Sequence, residues 1–116
     1  MDLTLSIRID TSDGRRFGPG KAAILEAVNS TGSIAGAARM LRMSYPRALK
    51  LVESMNTMFA SPVIISSHGG TRGGGATLTK CGLEVLNLYK SLCRQAMGAT
   101  NNSQIEFKAL IGPLDD

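Results

Sequence analysis

Three consecutive stretches decide the fold: Ser33-Ile34-Ala35-Gly36-Ala37-Ala38-Arg39-Met40-Leu41, then Arg42-Met43, then Ser44-Tyr45-Pro46-Arg47-Ala48-Leu49-Lys50-Leu51-Val52. Ser33 suits an N-cap, and Ala37, Ala38 and Leu41 fall on one face of the helix it would start. Arg42-Met43 reads as a tight turn. Ser44 caps a further helix, with Pro46 in the first turn, where a missing N–H is harmless. Along that helix Ala48, Leu51, Val52, Met55 and Phe59 recur at spacings of three and four, while Arg47, Lys50 and Ser54 occupy another face. Small residues on the first helix allow the second to cross closely, which is the requirement of a helix-turn-helix.

The following residues extend this unit. Ser61-Pro62 closes the helix, and Val63-Ile64-Ile65 reads as a strand. Gly69-Gly70-Thr71-Arg72-Gly73-Gly74-Gly75 is a loop, and Ala76-Thr77-Leu78 is a returning strand. A hairpin in this place is a wing. Thr79 then caps a long helix with a stripe of Leu83, Leu86, Tyr89 and Leu92, flanked by Val85 and Leu88, running to about Met97.

Upstream, Leu3, Leu5, Ile7 and Ile9 alternate with Thr4, Ser6 and Arg8, the period of a strand with one buried face. Asp13-Gly14 supplies a turn and Arg15-Arg16-Phe17 a short return. Gly18-Pro19-Gly20 breaks this hairpin. From Lys21 a helix carries Ile24, Leu25 and Val28 on one face and ends at Asn29-Ser30-Thr31-Gly32. The expected fold class is α+β, mainly α: a winged helix-turn-helix with an N-terminal β-hairpin and a long C-terminal helix. Residues 1–97 form one domain and residues 98–116 a C-terminal tail, either a short amphipathic element around Ile105, Phe107, Leu110 and Ile111 or disordered.

The turn holds one local conflict. Its usual glycine position is Arg42, and a non-glycine residue at positive φ costs about 1 kcal/mol or more. The turn is therefore either strained or of another geometry.

Charge is unevenly placed. Residues 33–80 hold Arg39, Arg42, Arg47, Lys50, Arg72 and Lys80 against Glu53 alone, a surplus of five, whereas the whole 116-residue chain carries +4. A basic surplus confined to one segment points to a polyanion, here duplex DNA. With an aromatic content of 4%, stacking platforms for single strands or RNA are not indicated.

Candidate base readers are Ser44, Tyr45, Arg47 and Lys50, in the N-terminal half of the third helix, the part that enters a major groove in helix-turn-helix proteins. Arg47 can pair with guanine through two parallel hydrogen bonds, and Lys50 suits a phosphate or a guanine edge. Ser33 begins a helix without an acidic first turn, so its N-terminus is open to a phosphate. The loop residues His68, Thr71 and Arg72 are candidate contacts to the backbone or the minor groove. The bland alternatives are a solvated helix face, ordinary structural caps and a flexible loop. A protein-binding winged-helix module is the alternative function.

Enzyme chemistry finds no support. There is no Gly-Lys-Ser/Thr ending to the glycine loop and no Gly-x-Gly-x-x-Gly between strand and helix. His68, Cys81 and Cys93 lack metal-ligand spacing, and no triad order is present, so neither a catalytic site, a metal nor a cofactor is expected. Cys81 and Cys93 stand roughly 18 Å apart along one helix, too far to bridge. Reduced thiols, no export signal and no apolar run of about 18 residues suggest a cytoplasmic protein with no membrane contact.

The run Gly32-Ser33-Ile34 through Ala38, then Met43-Ser44-Tyr45 through Glu53-Ser54-Met55-Asn56, then Gly69 through Thr79 resembles the N-terminal DNA-binding domain of ModE-type molybdate-responsive regulators. That domain is similar in turn to the winged helix of LysR-type regulators. The resemblance covers about residues 3 to 97, and the glycine-rich wing followed by Ala76-Thr77-Leu78-Thr79 is its most specific part. It implies a homodimeric transcriptional regulator in which Ser44, Tyr45 and Arg47 open the recognition helix and Arg72 lies on the wing. Full-length members carry C-terminal oxyanion-binding domains that do not follow within these residues. Molybdate binding is accordingly not expected of this stretch alone.

Overall fold

The computed structural model describes residues 1–67 and 75–114. A hairpin of β1 (Ile9–Asp10) and β2 (Arg16–Phe17) leads into α1 (Pro19–Thr31), α2 (Ile34–Met40) and α3 (Tyr45–Met58). Strands β3 (Ile64–Ser67) and β4 (Gly75–Leu78) precede α4 (Lys80–Ala99) and α5 (Asn101–Leu110). Each strand pair is antiparallel, with Ile9 opposite Phe17 in the first and Ile64 opposite Leu78 through Ser67 opposite Gly75 in the second. The architecture is a winged helix-turn-helix, mainly α, with the expected order of elements.

The caps act where the sequence places them. Ser33, Ser44 and Thr79 accept from the backbone N–H of Gly36, Arg47 and Gly82 at 2.8, 3.2 and 3.0 Å. Each satisfies an N–H that the first helical turn would otherwise leave unpaired. Gly32 ends α1 at φ 78°, a left-handed conformation open to glycine.

The core is built around α1, whose Ile24, Leu25, Ala27 and Val28 are all buried. Helices α2, α3 and α4 and strand β4 all pack against α1. From α3 come Ala48, Val52 and Met55, and from α4 Leu86 and Tyr89. Phe17 joins the hairpin to both helices, with its ring edge-on to Phe59 at 5.9 Å and to Tyr89 at 5.1 Å between centroids. Arg15 adds a polar tie, donating through Nη1 to the Met58 carbonyl at the end of α3, 2.7 Å away.

Four details differ from the sequence expectation. Of the alternating Leu3–Ile9 stretch only Ile9 pairs in a ladder, which Asp10 continues, because β2 gives way to Gly18 and α1 after two residues. Helix α1 begins at Pro19, with the proline in its first turn, while α3 stops at Met58, three residues before Ser61. The stripe of α4 is narrower than its apolar residues suggest: Leu86 and Tyr89, which face α1 and the hairpin, are buried while Leu83 and Leu92 are exposed. Of the two readings of the tail, a helix is found, and α5 buries none of its residues. It projects from the body, giving a radius of gyration of 17.2 Å, against about 13 Å for a compact 100-residue domain. Among the described residues no helix is long and apolar enough to cross a membrane.

Candidate nucleic-acid interface

The turn between α2 and α3 resolves the conflict at Arg42. Met43 N–H donates to the Ala38 carbonyl at 3.0 Å and Arg42 N–H to the Arg39 carbonyl at 3.2 Å. These are the two bonds of a Schellman ending, in which the residue after the C-cap is left-handed. Arg42 is that residue, at φ 56°, and it is the only non-glycine residue with positive φ among those described. The turn has the usual geometry and carries strain.

This turn sets the direction of α3. Ala48, Val52 and Met55 face inward, while Tyr45, Arg47 and Lys50 are exposed along its first half, Tyr45 at 49% of its surface. Among the described residues the ion pairs lie elsewhere: Arg8 and Arg16 with Asp10, Arg15 with Asp13, and Lys90 with Glu26. Arg39, Arg42, Arg47, Lys50 and Lys80 make none with any described acidic group. Four of these unpaired cations, Arg39, Arg42, Arg47 and Lys50, cluster on the helix-turn-helix, whereas the hairpin cancels most of its own charge; Lys21, Arg94 and Lys108, elsewhere, also lack a described acidic partner.

The other half of the interface is the wing base. A cleft of 240 Å³ lies between Ser33, Ile34 and Ala35 at the start of α2, Tyr45 at the start of α3, and Ser66, Ser67, Gly75 and Ala76 of the wing strands. The fold thus brings Ser33 and Tyr45 together beside the wing. Ser44 lies at the same helix start with its hydroxyl engaged as a cap, and Arg47 and Lys50 follow along the exposed face. His68, Thr71 and Arg72 lie outside the described residues.

Three groups that fix the wing to the helices were not singled out by sequence reasoning. The Asn56 side chain of α3 accepts from Val63 and Ile64 N–H at 2.8 and 3.1 Å and donates to the Ile64 carbonyl at 3.0 Å. The Gly32 carbonyl accepts from Ala76 N–H at 2.8 Å, binding β4 to the end of α1. Gly82 lets α4 pass over the chain before β3, since a Cβ there would meet the Val63 carbonyl oxygen at 2.1 Å. Gly82 carries no periodic or motif signal, and Asn56 figures in the sequence only as the end of a family-like run with no role attached; each is explained by a neighbour outside its own helix.

Titration bears on the scaffold rather than on this face. Asp13 is lowered from 3.8 to about 2 by hydrogen bonds from Arg15 and Thr11. Burial, with Cys93 beside it, raises the Tyr89 hydroxyl, which donates to the Ile7 carbonyl at 2.6 Å. No group of three or more His, Cys, Asp or Glu suited to a metal occurs among the described residues. Cys81 and Cys93 are both free thiols.

No family model matches the chain. Individual proteins do. It is 40% identical over 79 residues to the molybdenum-pterin-binding protein MopB of Rhodobacter capsulatus, covering 68% of this chain and 29% of that protein. It is 32% identical over 84 residues to the molybdenum transport protein ModE of Azotobacter vinelandii, covering 72% and 31%. It is 30% identical over 76 residues to the DNA-binding transcriptional dual regulator ModE of Escherichia coli K12, covering 66% and 29%. Over these residues the chain belongs with the N-terminal domain of ModE-type proteins.

The fold has a solved counterpart in ArgP from Mycobacterium tuberculosis, with a TM-score of 0.50 at 20% identity over 78% of this chain and 30% of that one. That likeness bears out the winged helix-turn-helix fold. In the three relatives above, the matched region spans only 29–31% of the protein.

Proposed function

We propose that this ModE-type domain binds duplex DNA in a sequence-dependent way as the DNA-contacting unit of a transcriptional regulator, with no catalytic role. One observation carries the reading: α3 presents Tyr45, Arg47 and Lys50 to solvent, with no described acidic partner, beside the base of a wing. Residues 1–97 are the DNA-binding unit and residues 98–116 its extension. Arg47 reads a guanine edge, Lys50 and Ser33 hold phosphates, Ser44 and Tyr45 set the start of the reading helix, and His68, Thr71 and Arg72 contact the backbone from the wing.

The domain acts as a homodimer. Leu88 and Leu92 of α4 are 65% and 48% exposed, and Ile105, Phe107 and Leu110 of α5 are exposed too. So much apolar surface on one end of a small domain fits a partner copy. Two reading helices would then meet half-sites whose centres lie about 34 Å apart, or a multiple of that.

The test is titration of duplex DNA at several salt concentrations, followed by fluorescence anisotropy. Each neutralised phosphate contributes about −0.9 to the slope of log K against log salt. Arg47→Ala should relax base preference, and Arg72→Ala should weaken all sequences alike. A binding constant indifferent to salt would refute duplex binding.

A further inference from the structure

The sequence pattern makes Leu3–Ile9 a strand, but Leu3–Arg8 have no paired neighbour among the described strands. Leu3, Leu5, Ile7 and Ile9 alternate with polar residues, yet pairing begins only at Ile9. In a strand each residue's N–H and C=O point to the same edge, and successive residues alternate between edges. Thr11 N–H donates to Arg15, so the odd-numbered residues face β2. The Ile7 carbonyl, on that same edge beyond the end of β2, accepts from Tyr89. With the extended chain of β1 continued through them, the even-numbered residues Thr4, Ser6 and Arg8 present their N–H and C=O to the opposite edge, and no described backbone group pairs with them. An alternating edge strand left open in this way is a template for another strand.

We propose that this edge is completed by the same segment of a second copy, antiparallel about a two-fold axis at Leu5. The proposal rests on the homodimer reading and names the element that makes the dimer. In this register Leu5 faces the partner's Leu5, Leu3 faces the partner's Ile7, and Thr4 faces the partner's Ser6. Asp2 then stands opposite the partner's Arg8, so every pair matches in polarity and the only charges opposed are unlike. Moving the axis to Ser6 would set Asp2 against the partner's Asp10, two like charges. A shift of one residue in pairing would place leucine opposite threonine or serine. The sequence is thus self-complementary in this register, which, unlike an axis at Thr4, also sets Asp2 against an opposite charge.

The hydrogen bonds of this pairing come from Asp2, Thr4, Ser6 and Arg8, while Leu5 forms the closer, non-hydrogen-bonded pair on the axis. Beneath it, Leu3 and Leu5 line a cleft of 290 Å³ with Thr100, Gln104 and Phe107. The strand pair would therefore lie over the junction of α4 and α5, next to the exposed apolar residues of both helices.

Sedimentation equilibrium on the full chain tests this. Ser6→Pro deletes an N–H that no described intrachain bond uses, and by symmetry deletes it twice per dimer. The dimer should weaken by on the order of 10–100-fold with an unchanged circular dichroism spectrum, whereas Ser6→Ala should dimerise like the parent. Asp2→Arg and Arg8→Asp should each weaken the dimer, and the double variant should restore it, a rescue that a purely helical interface would not give. A Ser6→Pro chain that folds and dimerises as tightly as the parent, or a double variant no better than either single one, overturns the strand pairing but leaves the homodimer reading in place. A parent chain that is monomeric at micromolar concentrations removes both.

Discussion

Replacing Arg42 with glycine should stabilise the domain, and the amount can be worked from the turn. Arg42 holds φ 56° as the left-handed residue of the Schellman ending of α2. That conformation costs a non-glycine residue roughly 1–2 kcal/mol, because Cβ crowds the following carbonyl. Glycine removes the crowding but loses more chain entropy on folding, which returns roughly 0.5–1 kcal/mol. A net gain of about 0.5–1 kcal/mol remains, equivalent to a rise in Tm of about 2–6 °C for a domain of this size. The Arg42 side chain is exposed and has no described hydrogen-bond partner, so its loss should not offset the gain. Arg42→Ala is the control, since it removes the same charge but keeps Cβ. Thermal melts of the three proteins followed by circular dichroism at one salt concentration make the comparison. If the glycine and alanine variants melt together, the turn stores no such strain and the argument fails. On DNA the two variants should behave alike, because both lose the same cation.

The remaining expectations concern the ties between elements. Gly82→Ala should destabilise by about 3 kcal/mol, the upper end for overpacking, because its Cβ would lie 2.1 Å from the Val63 carbonyl oxygen; chemical denaturation measures it. Asn56→Ala leaves the N–H groups of Val63 and Ile64 without their acceptor and should cost roughly 2–3 kcal/mol, with the amide exchange of β3 accelerating. Asp13, depressed from 3.8 to about 2, contributes stability that is present above its unfolded value and lost as pH falls toward 2. Asp13→Asn should accordingly flatten the upper part of the acid-unfolding curve, and a curve identical to the parent's would exclude that role.

The reading helix and its supports were legible because local chemistry marks them. Ser33, Ser44 and Thr79 are short polar residues before periodic runs, and all three cap. Leu3–Ile9 and the stripe of α4 were read from the same kind of pattern, with a different outcome. Alternation shows that one face of a segment is to be covered, but not whether this chain supplies the cover. Only two residues of the first strand pair within the chain, and Leu83 and Leu92 remain exposed. The tail was undecided between helix and disorder because Asn101, Asn102 and Ser103 are weak helix formers, yet α5 starts at Asn101. Its stabilising contacts at that end come from Gln104, which donates to the Met97 carbonyl at 2.8 Å and to Thr100 Oγ1 at 2.8 Å. Asn56 was invisible as a clamp, since its partners come from the segment beyond the end of its own helix.

The wing and the reading helix are joined by hydrogen bonds in fixed directions as well as by apolar packing. Asn56 binds β3 to α3, the Gly32 carbonyl binds β4 to α1, and Thr79 donates through its side chain to Pro62 at 2.6 Å and through its N–H to Val63 at 3.0 Å. The distance from Tyr45 to the wing base is therefore set before any ligand arrives, and binding there need not order this part of the interface. The open strand edge and the exposed face of α4 and α5 lie on other elements. Loss of the dimer should consequently leave each reading face intact and remove only the second contact made at high effective concentration. A monomeric Ser6→Pro domain would then keep the base preference of one half-site while losing affinity for the paired site. That separation of preference from affinity follows only if reader and wing base are held within one chain.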